Sequence, residues 1–296
     1  MNARYHAQLF RNGSMLNNTF CHIKGIGQKS EKRLWNSGVM TWQDVLDSAE
    51  RGSSSLITPA LVSGVKESMS HLETDNARYF SRMLCATETW RIFSDFRHSV
   101  AYLDIETTGM AGTREEITTI SVYDGATIYY YIRGQNLERF ARDIQKYRLL
   151  VTYNGKCFDL PVIRRLLHAP MDQAHIDLRY LLHSLGYRGG LKGCEKQLGI
   201  DRDELDGLDG YFAILLWQDY IRNKNGKALE TLLAYNILDA VNLERLMVTA
   251  FNLKLQSTPF QRSHTIQTEL IAPQNPFQAD MATVDRLRSR YLASYH

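Results

Sequence analysis

Cysteine is scarce: the 296 residues hold four, Cys21, Cys85, Cys157 and Cys194, widely scattered and with no close pair. That spacing excludes a disulfide framework, and without a Cys/His cluster a structural zinc site is excluded too. Long apolar runs are also missing, since no stretch approaches the roughly 20 residues that a membrane span needs. The opening Met1-Asn2-Ala3-Arg4-Tyr5-His6 contains no apolar signal core. A soluble chain in a reducing cytoplasm, without a membrane partner, is the expectation. Charge is mild, with a net +3 and a pI near 8.6. This permits a phosphate-rich partner but does not require one. Internal repeats and low-complexity segments are absent. What is present is an apolar content of 44%, enough to fill the core of one large domain with a smaller one appended.

Residues 14 to 98 read as short helices punctuated by Gly25-Ile26-Gly27, Gly38 and Arg51-Gly52-Ser53-Ser54-Ser55. The texture changes at Ser99. Val100-Ala101-Tyr102-Leu103-Asp104-Ile105 is a compact apolar run ended by Thr107-Thr108-Gly109, the pattern of a buried strand. Ile117 to Tyr123 and Ala126 to Arg133 are rich in β-branched and aromatic residues and meet at Asp124-Gly125, a strong hairpin signal. Three sequential antiparallel strands follow from this. Leu137 to Tyr147 has helical spacing, Leu149 to Tyr153 reads as a strand, and Pro161 to Leu167 as a helix, which adds a parallel crossover. Beyond Ile176 the chain looks helical. Its last strong helix runs from about Ala228 to Asn252, with an apolar stripe of Leu229, Leu232, Leu233, Ala240, Leu243 and Met247 interrupted by Asn236. Residues 254 to 296 hold three of the six prolines and little periodicity, so an extended wrapping tail or a partly mobile end is expected.

Asp104 and Glu106 stand two apart on an otherwise apolar strand and therefore project from one face. Two buried acids repel each other, and a divalent cation between them is the economical remedy. Asp159 follows Tyr153-Asn154-Gly155 at a strand's end and precedes Leu160-Pro161. It suits a helix N-cap, but it also suits the strand edge where α/β sheets place ligand-binding groups. Tyr235 and Asp239, four apart, share a helix face. Taken singly, each acid has an ordinary explanation in a cap or a solvated surface.

The ordered combination is what resembles a known group. Asp104-Ile105-Glu106-Thr107-Thr108-Gly109, then Tyr153-Asn154-Gly155-Lys156-Cys157-Phe158-Asp159, then Tyr235-Asn236-Ile237-Leu238-Asp239 resemble the three motifs of the DEDD-type 3′–5′ exonucleases of the RNase H-like superfamily. Ala234 stands where one subtype carries His, so the chain resembles the tyrosine subtype, DEDDy. The stretches His175 to Leu178, Cys194 to Ile200 and Leu216 to Tyr220 extend the likeness toward the YprB-like family, over about residues 14 to 253.

The resemblance implies an α/β fold. An RNase H-like mixed sheet of three antiparallel strands plus parallel strands, flanked by helices, would occupy residues 99–253. It would follow a small N-terminal helical region (1–98) and precede a C-terminal tail (254–296). It further implies phosphodiester hydrolysis by two divalent cations, Mg²⁺ or Mn²⁺. Asp104 would bridge both, Glu106 and Asp239 would complete one site, and Asp159 would hold the other. Tyr235 would orient the attacking water. Oxygen-only ligands select such hard ions. Thr107, Thr108 and Gly109 would approach the terminal sugar, and Asn154 and Phe158 the terminal nucleotides, with the core as the alternative place for Phe158. Asp177, ahead of Leu178-Arg179-Tyr180, reads as a helix cap and stays outside the site.

Ile23-Lys24-Gly25-Ile26-Gly27-Gln28-Lys29-Ser30, followed by Glu31 to Trp35, resembles the hairpin and second helix of a helix-hairpin-helix motif, spanning about residues 20–48. There Gly25 and Gly27 would expose backbone amides to a nucleic-acid phosphate, and Lys24 and Lys29 would add charge. Trp35 and Trp42 read as core anchors. The implied partner is nucleic acid with a free 3′ end, single-stranded DNA ranking slightly above RNA. Two alternatives stand beside it. A catalytically inactive nucleic-acid-binding module would normally have lost an acid, whereas all four are in place. An RNA-specific exoribonuclease would use the same metal site, because both substrates share the phosphodiester.

Overall fold

The computed structural model describes residues 14–52, 55–109, 115–267 and 273–293. The opening hexapeptide and Ser53-Ser54 of the Gly/Ser run lie outside them. Four helices come first, α1 (Gln28–Asn36), α2 (Trp42–Arg51), α3 (Pro59–Glu73) and α4 (Ala77–Met83). Thr41 accepts from the Asp44 N–H to cap α2, and Asp44 answers with a reciprocal bond, a capping box that fixes the helix start. Trp35 and Trp42 are 6% and 2% exposed, and their indole N–H groups donate to the Asn18 and Thr19 carbonyls. They are core anchors, as the sequence suggested. Ahead of α1 the described residues hold only a 3₁₀ turn, Leu16–Asn18, so among them no full helix precedes the hairpin.

The sheet has five strands in the order β3-β2-β1-β4-β5: β1 (Val100–Thr107), β2 (Ile117–Tyr123), β3 (Ile128–Ile132), β4 (Leu149–Thr152) and β5 (Ala174–Asp177). β1 to β3 pair antiparallel, while β4 pairs parallel with both β1 and β5. This is the mixed sheet expected of an RNase H-like fold. The hairpin closes where Asp124 accepts from the Ala126 and Thr127 N–H groups, with Gly125 at φ +91°, a conformation glycine adopts without steric cost. Leu137 to Tyr147, expected to be helical, is a succession of single turns.

Helices cover both faces: α5 (Asp159–Leu167), α6 (Leu178–Ser184), α7 (Gly190–Gln197), α8 (Gly210–Asn223) and the thirty-residue α9 (Gly226–Leu255). Alternation along β1 sends Ala101, Leu103 and Ile105 into one core with Phe140 and Ile163, and Val100 and Tyr102 into another with Leu243 and Phe251 of α9. The second core runs on without a break into Trp42 and Phe80 of the N-terminal helices. Asp104 and Glu106 share the parity of Tyr102, so they face α9.

The tail departs from expectation. Residues 273–280 do run without regular structure along α9, where Asn275 donates to the Ala234 carbonyl and the Asp280 N–H to Thr231. Met281–Ala293, however, is a helix, α10. Val284 and Leu287 bury it against α8 and α9, and Arg286 pairs with the buried Asp219. That pairing holds the Asp219 carboxyl down at about 2. Among the described residues, no helix is long and apolar enough to cross a membrane.

Candidate metal centre

Asp104 and Glu106 from β1 and Asp239 from α9 each offer a carboxylate oxygen, and these oxygens lie within 4.8 Å of one another. Period two on β1 and the packing of α9 across that strand produce the convergence. Asn236, the polar interruption in the α9 stripe, explains itself here. Fully buried, it donates from Nδ2 to Asp104 Oδ2 at 2.6 Å and accepts from Ser121 Oγ at 2.7 Å. One oxygen of Asp104 is thereby fixed and its rotamer set.

Asp159 opens α5 and is 4% exposed. It lies outside the tight triad but close enough for its charge to raise the pKa of both Asp104 and Glu106, and the Ile105 backbone hydrogen-bonds to it. Tyr235, one turn before Asp239, is 4% exposed. Burial first, then Asp239, Glu106 and Asp104, push its hydroxyl far above the usual tyrosine range. It stays a neutral phenol at any physiological pH.

The remaining candidates fall around this cluster. Thr107 is buried, and its hydroxyl accepts from the Gly109 N–H. Thr108 exchanges hydrogen bonds with the Glu116 backbone. Gly109 sits at φ +68°, where a Cβ would stand 2.1 Å from Ile214 of α8; any side chain there would be both strained and obstructed. Asn154 also has a positive φ, +65°, and its amide oxygen is taken by Arg179. Phe158 is 37% exposed, which rules out its alternative reading as core. Asp177 caps α6 through the Arg179 N–H and also accepts from the Asn154 and Lys156 N–H groups at 2.8 and 3.0 Å. It serves as a brace for the loop that carries Asp159. In the N-terminal hairpin Lys24, Gly25, Gly27 and Lys29 are exposed where α1 begins.

Two cations at the cluster escaped the sequence reading. Arg202, 5% exposed, donates to Asp239 Oδ1 and makes two bonds to Glu195, at 3.0 and 2.7 Å. Glu195, fully buried on α7, is held in turn by Asn242 at 2.8 Å. Lys192, also on α7, places its Nζ 4.8 Å from the centre of the Tyr235 ring. Nothing in the primary pattern separates either residue from an ordinary solvated cation; only the approach of α7 to α9 does.

Burial, then Asp239 and Asp159, raise the carboxyls of Asp104 and Glu106 well above the usual carboxylate range. Burial also raises Asp159, to about 7. An all-oxygen donor set this close, this desolvated and this mutually repulsive fits a hard divalent cation. The raised values also fix a sign. Above an unfolded carboxylate pKa of roughly 4, the folded metal-free protein keeps protons that the unfolded chain has released, so its stability falls as pH rises toward and past 7. His22 and His175, lowered by burial to about 3 and 4, work the opposite way. Comparison with Asp104→Asn cancels their contribution. In chelator, that variant should match wild type at about pH 4 and below, and melt several degrees higher by pH 8, as read by thermal unfolding across pH. A constant difference would refute the assigned shifts.

A mixed sheet with three carboxylates gathered toward the end of its first strand defines an α/β domain of the RNase H type. The chain belongs to the RNase H superfamily, whose profile matches residues 101–251; this is a superfamily of nucleases. It is 27% identical over 194 residues to the uncharacterized protein YprB of Bacillus subtilis (strain 168), a match covering 57% of this chain and 46% of that protein. The matched region therefore spans less than half of that relative's length. A family B DNA polymerase from the archaeon Pyrobaculum calidifontis is a structural neighbour with 16% identity and a TM-score of 0.40, covering 57% of this chain and 27% of the polymerase.

Proposed function

We propose that the protein is a divalent-metal-dependent 3′–5′ exonuclease of the tyrosine DEDD subtype, acting on single-stranded nucleic acid with DNA ahead of RNA. One observation carries the reading: Asp104, Glu106 and Asp239 offer three oxygens within 4.8 Å, with Asp159 and Tyr235 beside them in an RNase H-type domain. Asp104, Glu106 and Asp239 would hold one Mg²⁺ or Mn²⁺ ion, and Asp159 with Asp104 a second. Bound there, such ions lower the pKa of water and offset charge on the phosphoryl oxygens.

The protein's own groups supply the rest. Asn236 keeps Asp104 in one orientation. Tyr235 presents a protonated hydroxyl that orients the attacking water without exchanging its proton. Water oxygen bonds to phosphorus as the bond to the 3′ oxygen breaks; the water's proton passes to solvent, the departing 3′ oxygen takes one from solvent, and a strand with a new 3′ hydroxyl and a nucleoside 5′-monophosphate are released. Phe158 offers an exposed ring on which a terminal base stacks, and the Thr107–Gly109 turn admits the sugar. Lys24, Gly25, Gly27 and Lys29 would hold backbone phosphate farther along the strand.

The test is digestion of 5′-labelled single-stranded DNA and RNA with Mg²⁺ or Mn²⁺. A ladder shortening one nucleotide at a time, faster on DNA, is expected. Large internal fragments would make the enzyme an endonuclease, and strands left intact would leave only a binding module.

A further inference from the structure

We infer that Lys192 is a phosphate-binding residue of this site, reserved for the strand and for the nucleoside 5′-monophosphate that leaves it; the inference rests on the nuclease reading. Lys192 Nζ is buried and has no hydrogen-bond partner among the described residues. An ammonium group has three donors, and burying all of them unused is costly unless a ligand supplies acceptors.

The nearby charges show which kind of ligand. Asp239, Arg202, Asp209 and Glu106 lie near enough to act electrostatically on Lys192. Asp239 is already bonded to Arg202, Arg202 also to Glu195, and the exposed Asp209 caps α8 through the Phe212 N–H. The four acids of the cluster match the charge of two divalent ions, and Arg202 matches Glu195. With the charge of the exposed Asp209 screened by solvent, Lys192 is left as the one uncompensated charge inside the cluster, opposite in sign to a phosphodiester. Its Nζ stands 4.8 Å from the centre of the Tyr235 ring, which puts that charge beside the residue proposed to orient the attacking water. A free nucleotide and the last linkage of a strand share this phosphate chemistry.

The experiment is calorimetric titration of the full chain, with Mn²⁺ present, using thymidine 5′-monophosphate and, separately, thymidine. Lys192→Met should weaken monophosphate binding about tenfold or more, the worth of a charge-assisted hydrogen bond. Thymidine binding should stay unchanged, Mn²⁺ should bind no more weakly, and Lys192→Arg should recover most of the loss. Equal monophosphate affinity in wild type and Lys192→Met would overturn the assignment, as would an equal loss for thymidine or a folded wild type that binds no monophosphate. If Lys192→Met loses its native circular dichroism, Lys192→Gln carries the same comparison. Strands shortened by a protein whose monophosphate binding ignores Lys192 would sink this inference alone. Monophosphate binding that depends on Lys192 in a protein that shortens no strand would instead sink the exonuclease reading.

Discussion

Asp104→Asn should lower the rate of strand shortening by about 10³ or more while leaving the protein folded. The two halves of that expectation have one cause. Asp104 belongs to the triad and is the acid that Asn236 locks in place. Removing its charge takes away the ligand shared between both proposed cations, and Lewis-acid stabilisation of the transition state is worth several kcal/mol, each 1.36 kcal/mol being about tenfold in rate. The same change relieves repulsion among desolvated acids. An asparagine oxygen still accepts from Asn236, so the local geometry survives. Catalytic groups held in an unfavourable cluster commonly trade stability for function in this way. Single-turnover cleavage and thermal melting of the same preparation test it together. Full activity in Asp104→Asn would remove that acid from the mechanism.

The second large effect concerns Arg202. Arg202→Met should destabilise the metal-free protein by about 3–5 kcal/mol, the usual result of removing one partner from a buried charge network. Glu195 and Asp239, fully buried and 4% exposed, would be left facing each other without their guanidinium. Adding Glu195→Gln should restore part of the loss, because it removes the stranded charge. Saturating Mn²⁺ should restore another part, since a bound cation takes over the neutralisation of Asp239. Mn²⁺ should therefore raise the melting temperature more in Arg202→Met than in wild type. Urea unfolding with and without metal measures both terms. A variant as stable as wild type in chelator would show that the ion pairs seen around Arg202 do not bear on the fold.

How much of this was legible in advance differs from element to element. β1, β2 and β4 announced themselves as short apolar or β-branched runs bounded by turn signals, and α9 by an apolar stripe at helical spacing. β5 did not. It is four residues long, and Ala174-His175 at its start carries little strand signal; its pairing with β4 is a tertiary fact. The α10 helix was missed for a related reason. Only Val284 and Leu287 of its described residues are buried hydrophobics, too few to show a stripe against a polar background. The acids were visible because their spacing matched a known order of motifs. Their counter-charges were not. Lys192 and Arg202 acquire meaning only when α7 and the turn after it fold against Tyr235 and Asp239, and no local pattern records that approach. Asn236 lies between these cases. Its polarity inside an apolar stripe was plain, while its role needed the position of Asp104 on the opposite strand.

Equilibrium binding of Mn²⁺ to the full chain is the most direct measurement. Wild type should take up about two ions per molecule and release protons as it does so, because Asp159 at about 7 and the raised carboxyls of Asp104 and Glu106 must ionise to bind. Asp104→Asn should lose at least one of those ions. A folded wild type that binds no Mn²⁺, or binds it no better than Asp104→Asn does, would contradict the claim that these acids form a metal centre.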